Sequence, residues 1–302
     1  MVRTRRGVPG RAVIPPGPSP VDLHAHTTRS DGVMEPAALV AAAHAVGVRT
    51  FAITDHDNLA APRELAATPG AIPDGMELLP GVEINTVTDA GPGAWRGELH
   101  ILGLGVDPAD DAFEALLAVQ RERRRDRFER TLAKLRGAGL GIDDVAAALP
   151  ADERAALGRP TVGRLLVAKG YARSVDDAFA RLIGYGMPGY VPRDGIGPLD
   201  AIAAIRAARG IAVLAHTADA ADRVIAIRDL RENGLRGIEV HYRRYDAETV
   251  LSVAAVAMAL RLVPTGGTDY HGDSESYAEA HASIWVPSED ADAVRAALAS
   301  GS

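Results

Sequence analysis

Seven short apolar runs, spread from residue 21 to residue 271 and each carrying a histidine, aspartate or glutamate at or near its end, restrict the architectures open to this chain. They are Val21-Asp-Leu-His24-Ala-His26, Thr50 to His56, Glu77 to Glu83, Glu98-Leu-His100-Ile-Leu, Ile211 to His216, Gly237 to His241, and Leu262 to His271. Each has the length and composition of a buried strand. Between most of them lie alanine-rich stretches with helical spacing: Pro36 to Val46, Pro198 to Arg209, Ala221 to Asn233 and Ala247 to Arg261. Strand alternating with helix predicts parallel βαβ units, whose strands gather their carboxyl ends on one face. Side chains far apart in sequence then converge there.

The alternation breaks between Asp107 and about Pro192. Phe113, Leu116, Leu117, Phe128, Leu132 and Leu135 have core-like helical spacing, Gly137-Ala-Gly is a stop, and further helical pieces follow at Val162 to Lys169 and Val175 to Ile183. A helical excursion inserted after a strand's carboxyl end sits over the site face and shapes access to it. The expected organisation is a Pro- and Gly-rich N-terminal tail (1–20), an α/β barrel domain in two parts (21–107 and 193–302), and a helical cap insertion (108–192).

Composition excludes several chemistries. The chain has no cysteine, so disulfides, thiolate metal sites and cysteine nucleophiles are ruled out, and any metal site must use nitrogen and oxygen ligands. A formal net charge of −7 argues against coating nucleic acid through overall charge, and no stable nucleic-acid complex is expected. No apolar run approaches the ~20 residues of a membrane span, and the arginines of the tail are not followed by a signal peptide's apolar core. We expect a cytoplasmic protein, and infer no protein partner.

His24-Ala-His26 puts two imidazoles on one side of a strand because side chains alternate with period two. Alone, so short a pattern also arises by chance. With Asp31, His56, Glu83, His100, His216, Asp269 and His271 added, six of the nine histidines stand at expected strand ends, as convergent metal ligands do. His44, in a helical stretch, and His281 are read as ordinary surface or core histidines. His241 ends a strand too but can simply cap or pack, and is left outside the set.

The motifs Asp22-Leu-His24-Ala-His26-Thr-Thr-Arg-Ser-Asp31-Gly, Ile53-Thr-Asp55-His56-Asp57, Leu79-Pro-Gly-Val-Glu83-Ile, Leu99-His100-Ile, Leu214-Ala-His216 and Gly267-Thr-Asp269-Tyr-His271 resemble those of the polymerase and histidinol phosphatase (PHP) family of metal-dependent phosphoesterases. The resemblance covers about residues 21 to 290. Within the family it is greatest to the branch that removes the 5′-phosphate of nucleoside 3′,5′-bisphosphates, some members of which trim short RNA from the 5′ end. It implies a distorted seven-stranded (β/α) TIM-like barrel with an inserted helical cap. It also implies three divalent metal ions, one on His24, His26, Glu83 and Asp269, one on Glu83, His100 and His216, and one on Asp31, His56 and His271. The resemblance favours manganese; mixed imidazole and carboxylate ligands equally suit iron or zinc. A hydroxide shared by two such metals can attack phosphorus in line, so no protein nucleophile is needed. The sequence does not identify the proton donor.

Arg121-Glu-Arg-Arg-Arg-Asp-Arg127 reads as a solvated helix face, but within the cap some of these arginines can donate to phosphate. The resemblance implies substrate-binding roles for Arg124 and, in Gly158-Arg159-Pro160-Thr161, Arg159. Relatives commonly carry histidine in place of Thr161 and proline in place of Thr217. Three alternatives to nucleotide 5′-phosphate hydrolysis stay open: 5′-3′ exoribonuclease action on short RNA, amide hydrolysis by the same kind of centre, and a non-catalytic metal-binding interaction domain.

Overall fold

The computed structural model describes residues 18–89, 96–149, 157–272 and 275–301. Most of the expected tail lies outside the described residues. Ser19, within it, is already buried, its hydroxyl 2.8 Å from the carbonyl of Val21 and 3.1 Å from that of Val286.

All seven apolar runs form strands: β1 (Val21–Asp22), β2 (Thr50–Ile53), β3 (Glu77–Asp89), β4 (Arg96–Leu104), β5 (Ile211–Leu214), β6 (Leu235–Tyr242) and β7 (Val263–Gly267). They lie in sequence order across one sheet. The sheet curls into a nearly closed barrel: Leu23 N donates to Gly266 O (3.0 Å) and His26 N to Tyr270 O (2.9 Å), joining the chain after β1 to that around and beyond β7. A Cβ on Gly267 would fall 2.4 Å from the Cβ of His24, so this approach requires glycine.

The expectation of parallel βαβ units holds for β1, β2 and β3 and for β5, β6 and β7, and fails for β4, which is antiparallel to both neighbours. Residues 90–95 are too few for a crossover, which needs a dozen or more, so β3 and β4 pair as a hairpin. His100 therefore stands mid-strand rather than at a carboxyl end. Its strand runs backwards, which brings its middle to the face where the parallel strands finish.

Proline opens the helices Pro36–Ala45 and Pro198–Ala207, where its missing N–H costs nothing. The long helix Asp111–Gly137 is capped by Asp110, which accepts from Phe113 N. Ile84, Ile101, Leu214 and Ile238 from the strands pack with Ile202, Ile205 and Ile227 from the surrounding helices. A separate apolar cluster joins Phe128, Leu135, Val162, Leu166, Leu182 and Ile183 between β4 and β5. No helix among the described residues is long and apolar enough to cross a membrane.

Candidate metal centre

The nine side chains expected to ligate metal meet at one end of the barrel. His24 and His26 follow β1, both fully buried, with their Nε2 atoms 3.1 Å apart. Asp31 closes the next turn, which is pinned by buried Asp55: its carboxylate accepts from Thr27 N (2.7 Å), Thr27 Oγ1 (2.6 Å) and Ser30 Oγ (2.6 Å). His56 and His216 follow β2 and β5, Asp269 and His271 follow β7, and Glu83 lies within β3.

Donor atoms fall into three groups, each within 4.8 Å of one another: His26, Asp31, His56 and His271; His24, His26, Glu83 and Asp269; and Glu83, His100 and His216. Ligands held about 2.1 Å from one cation lie about 3.4 Å apart in tetrahedral geometry. The contacts match that spacing: His24 Nε2 to Asp269 (3.3 Å), His26 Nε2 to Glu83 (3.2 Å), His216 Nε2 to Glu83 (3.1 Å), and His271 Nε2 to Asp31 (3.3 Å). Several of these atoms make no hydrogen bond though buried: His26 Nδ1, His56 Nδ1 and both oxygens of Asp31. Buried polar atoms without partners are costly, and divalent cations would satisfy them. The residues fit a metal cluster. His26 appears in two groups because Nε2 faces Glu83 and Asp269 while Nδ1 faces Asp31, 3.9 Å away.

Burial disfavours charge on all these groups, yet mutual pairing overrides it for most. Asp31, Glu83 and Asp269 are held well below the usual carboxylate range by neighbouring imidazoles. Against its own burial, His26 is raised to about 10 by its bonds to Asp269 and Glu83. His56 goes the other way, lowered by burial to about 4 despite Asp31 and Glu83. Opposed shifts of this kind cluster at functional sites.

Sequence reasoning passed over Glu239 and weighed His241, two residues further along β6. A bulge separates them, and His241 turns away to Asp290 (3.3 Å). Glu239, fully buried, accepts from His24 Nδ1 (3.0 Å) and from the backbone N–H of His216 (2.8 Å). A carboxylate only accepts, so Nδ1 of His24 carries its hydrogen and Nε2 faces the cluster with its lone pair. His216 has φ +29°, and Asp57 and Asp269 are also left-handed, a conformation that surrounding structure must enforce. A carboxylate flanked by the apolar Ile238 and Val240 was the available signal. In Glu239→Gln the amide keeps one acceptor and turns a donor toward the other N–H. Manganese affinity, read by calorimetric titration, should fall about 10–100-fold; unchanged affinity would refute this orienting role.

Beyond the cluster, a cavity of about 240 Å³ is walled by Arg124, Arg127, Arg159 and Arg193. The long helix buries Phe113, Leu117, Gln120, Arg124, Arg127, Phe128, Thr131 and Leu135, one continuous stripe that is polar where it crosses the cavity. The arginine run is therefore only partly the solvated face its charge suggests. Arg124 donates through Nε to Asp57 (2.6 Å) and through Nη2 to Asn85, whose amide contacts His100. Arg127 and Arg159 share Glu98, at 2.8 and 3.0 Å. Burial would raise the Glu98 carboxyl, but Arg159, Arg127 and Arg193 hold it far below its usual range. Arg193, which the sequence did not single out, is pushed down to about 9 by burial and then by Arg124. Tyr242 lines the same cavity and donates to Asp269 (2.9 Å). His44 and His281 lie outside the three groups, His281 buried against Tyr277.

Comparison with known proteins bears on this geometry. A family model described as the PHP domain matches residues 22–136. The 5′-3′ exoribonuclease Rnm of Escherichia coli is 34% identical over 280 residues, covering 88% of this chain and 89% of its own. The 3′,5′-nucleoside bisphosphate phosphatase of Chromobacterium violaceum is 32% identical over 260 residues, covering 84% and 88%. Among solved structures, a Bifidobacterium adolescentis protein assigned to the metal-dependent phosphoesterases superposes with TM-score 0.73 at 31% identity, covering 84% of this chain and 88% of that one.

Proposed function

Because the chain belongs to the PHP family and is a metal-dependent phosphoester hydrolase, we propose that it removes the 5′-phosphate of nucleotides that carry a second phosphate, nucleoside 3′,5′-bisphosphates foremost. The observation that supports this reading is the charge of the cavity wall. Four guanidiniums, of Arg124, Arg127, Arg159 and Arg193, face two carboxylates, Asp57 and Glu98. The surplus suits a phosphate dianion standing beside the one bound over the cluster, and planar guanidiniums are well shaped to hold it.

We assign His24, His26, Glu83 and Asp269 to one divalent cation, Glu83, His100 and His216 to a second, and Asp31, His56 and His271 to a third, with manganese favoured and iron or zinc as alternatives. Such cations, when bound, supply Lewis-acid charge neutralisation and lower the pKa of a coordinated water. The chain's own residues do the positioning. Glu239 fixes the ring of His24 and the backbone of His216. Arg124, tied to Asp57 and through Asn85 to His100, couples the arginine wall to the ligands. We read residues 108–192 as a cap that carries Arg124, Arg127 and Arg159 over the barrel mouth.

The test is phosphate release by manganese-loaded protein from adenosine 3′,5′-bisphosphate, adenosine 5′-monophosphate and a short 5′-phosphorylated RNA, with His56→Ala as the control. The bisphosphate should be preferred over the monophosphate by about 10-fold or more, the scale of one charge-assisted hydrogen bond. Equal rates on the two nucleotides would remove the second-phosphate reading.

A further inference from the structure

A second, larger cavity opens beside the first. Its volume is about 830 Å³, and it meets the first at Pro160, Phe179, Asp269 and His271. The first cavity reaches His56, His100 and His216; the second leaves the cluster at Asp269 and His271 alone. Four further arginines line it: Arg164 and Arg173 from the helical segment, and Arg243 and Arg244 from the end of β6. Arg243 is nearly buried and paired with Glu275, and its Nε has no hydrogen-bond partner. Arg173 and Arg244 are exposed.

The chemistry of phosphate esters gives this space a use. When a terminal phosphate is removed, the leaving nucleoside fills one side of the phosphorus and only free oxygens lie on the other, so no second cavity is needed. A phosphodiester differs by one substituent: a further oxygen on the same phosphorus is esterified to the rest of the strand, and that strand must go somewhere. In the first cavity the arginine wall can take the phosphate of a leaving nucleotide, whether on its 3′ or its 5′ oxygen.

We propose that the second cavity is the track of the retained strand when the substrate is 5′-phosphorylated single-stranded RNA, with Arg173, Arg243 and Arg244 along its backbone. This rests on the phosphoesterase reading of the metal centre. The 5′-terminal nucleotide occupies the first cavity with its phosphate on the arginine wall, and the next phosphate lies over the cluster. Water oxygen bonds to that phosphorus, the P–O3′ bond breaks, and the departing 3′ oxygen takes a proton. The shortened strand keeps the phosphate as a new 5′ terminus. Its product is thus again a substrate, as stepwise 5′-3′ degradation requires.

The test compares kcat/KM on a 5′-phosphorylated RNA hexanucleotide and on adenosine 3′,5′-bisphosphate, for wild type and for Arg173→Glu/Arg244→Glu, with manganese present. The ratio of RNA to bisphosphate efficiency should fall about 10-fold in the variant. The slope of log(kcat/KM) for RNA against log[salt] should shrink by about 1.4, the share of two single-strand phosphates that the variant no longer neutralises. An unchanged ratio, including equal losses on both substrates, overturns the track. So does wild-type protein that cleaves the bisphosphate and not the RNA. Wild-type protein active on neither overturns the phosphoesterase reading itself, and the track with it.

Discussion

Glu83→Gln should lower kcat/KM for nucleotide hydrolysis by about 10³- to 10⁴-fold while leaving the fold intact. Glu83 is buried at the junction of the cluster. One oxygen lies 2.7 Å from His100 and 3.1 Å from His216, and the other 3.0 Å from His56, 3.2 Å from His26 and 3.4 Å from His24. It belongs to two of the three donor groups. The amide removes the charge and replaces one accepting oxygen by a donor facing imidazoles. Cation stabilisation of a phosphoryl transition state amounts to several kcal/mol, and each ~1.4 kcal/mol is tenfold in rate. The backbone of Glu83 stays paired with Leu102 in the ladder between β3 and β4, so far-ultraviolet circular dichroism should match wild type. Steady-state kinetics at saturating manganese would expose the error in this account if the loss were under tenfold.

Chelation should have the second large effect, on stability as well as activity. The donors with no hydrogen bond, His26 Nδ1, His56 Nδ1 and the two oxygens of Asp31, are desolvated on folding, and within the chain only imidazole–carboxylate contacts such as His56 to Glu83 (3.0 Å) and His271 to Asp31 (3.3 Å) offset that cost. A cation at 100 times its dissociation constant stabilises the native state by about 2.7 kcal/mol per site. For a domain of this size each kcal/mol moves Tm by about 2 °C, so three sites give on the order of 15 °C. Thermal unfolding in excess manganese and after exhaustive chelation reads this directly. A Tm that does not move would mean the donors hold no cation in the folded protein.

Much of this was legible in the sequence because burial and periodicity act locally. An apolar run ending in His216 reads as a strand with a polar tip whatever surrounds it, and the His24-Ala-His26 spacing places two rings on one side through backbone geometry alone. What stayed hidden depended on partners. The reversal of β4 follows from a connection too short for a crossover, which the pattern of the run itself does not carry. Arg124 and Arg127 share the buried stripe of Phe113 and Leu117, but a stripe of arginines looks like solvent until the cavity it faces is known. Glu239 was obscured by a bulge that sends His241 elsewhere. The left-handed turns at His216 and Asp269 carry no glycine to announce them, because a side chain of the cluster stands at the same position.

The arrangement also explains why one barrel end can serve related reactions. In the proposed function and the strand track inferred from it, the cluster is the part that acts on phosphorus, the arginine wall the part that reads the charge of the leaving nucleotide, and the space beyond Asp269 and His271 the part that admits a following strand. Substitution in one of these parts alters substrate choice without rebuilding the others.

Anomalous diffraction at the manganese edge from crystals of manganese-loaded protein would locate the cations themselves. Three peaks are expected, one within each donor group and one pair sharing Glu83. Peaks held by other residues, or a cluster region without anomalous signal while the protein hydrolyses nucleotides, would contradict the three-cation assignment.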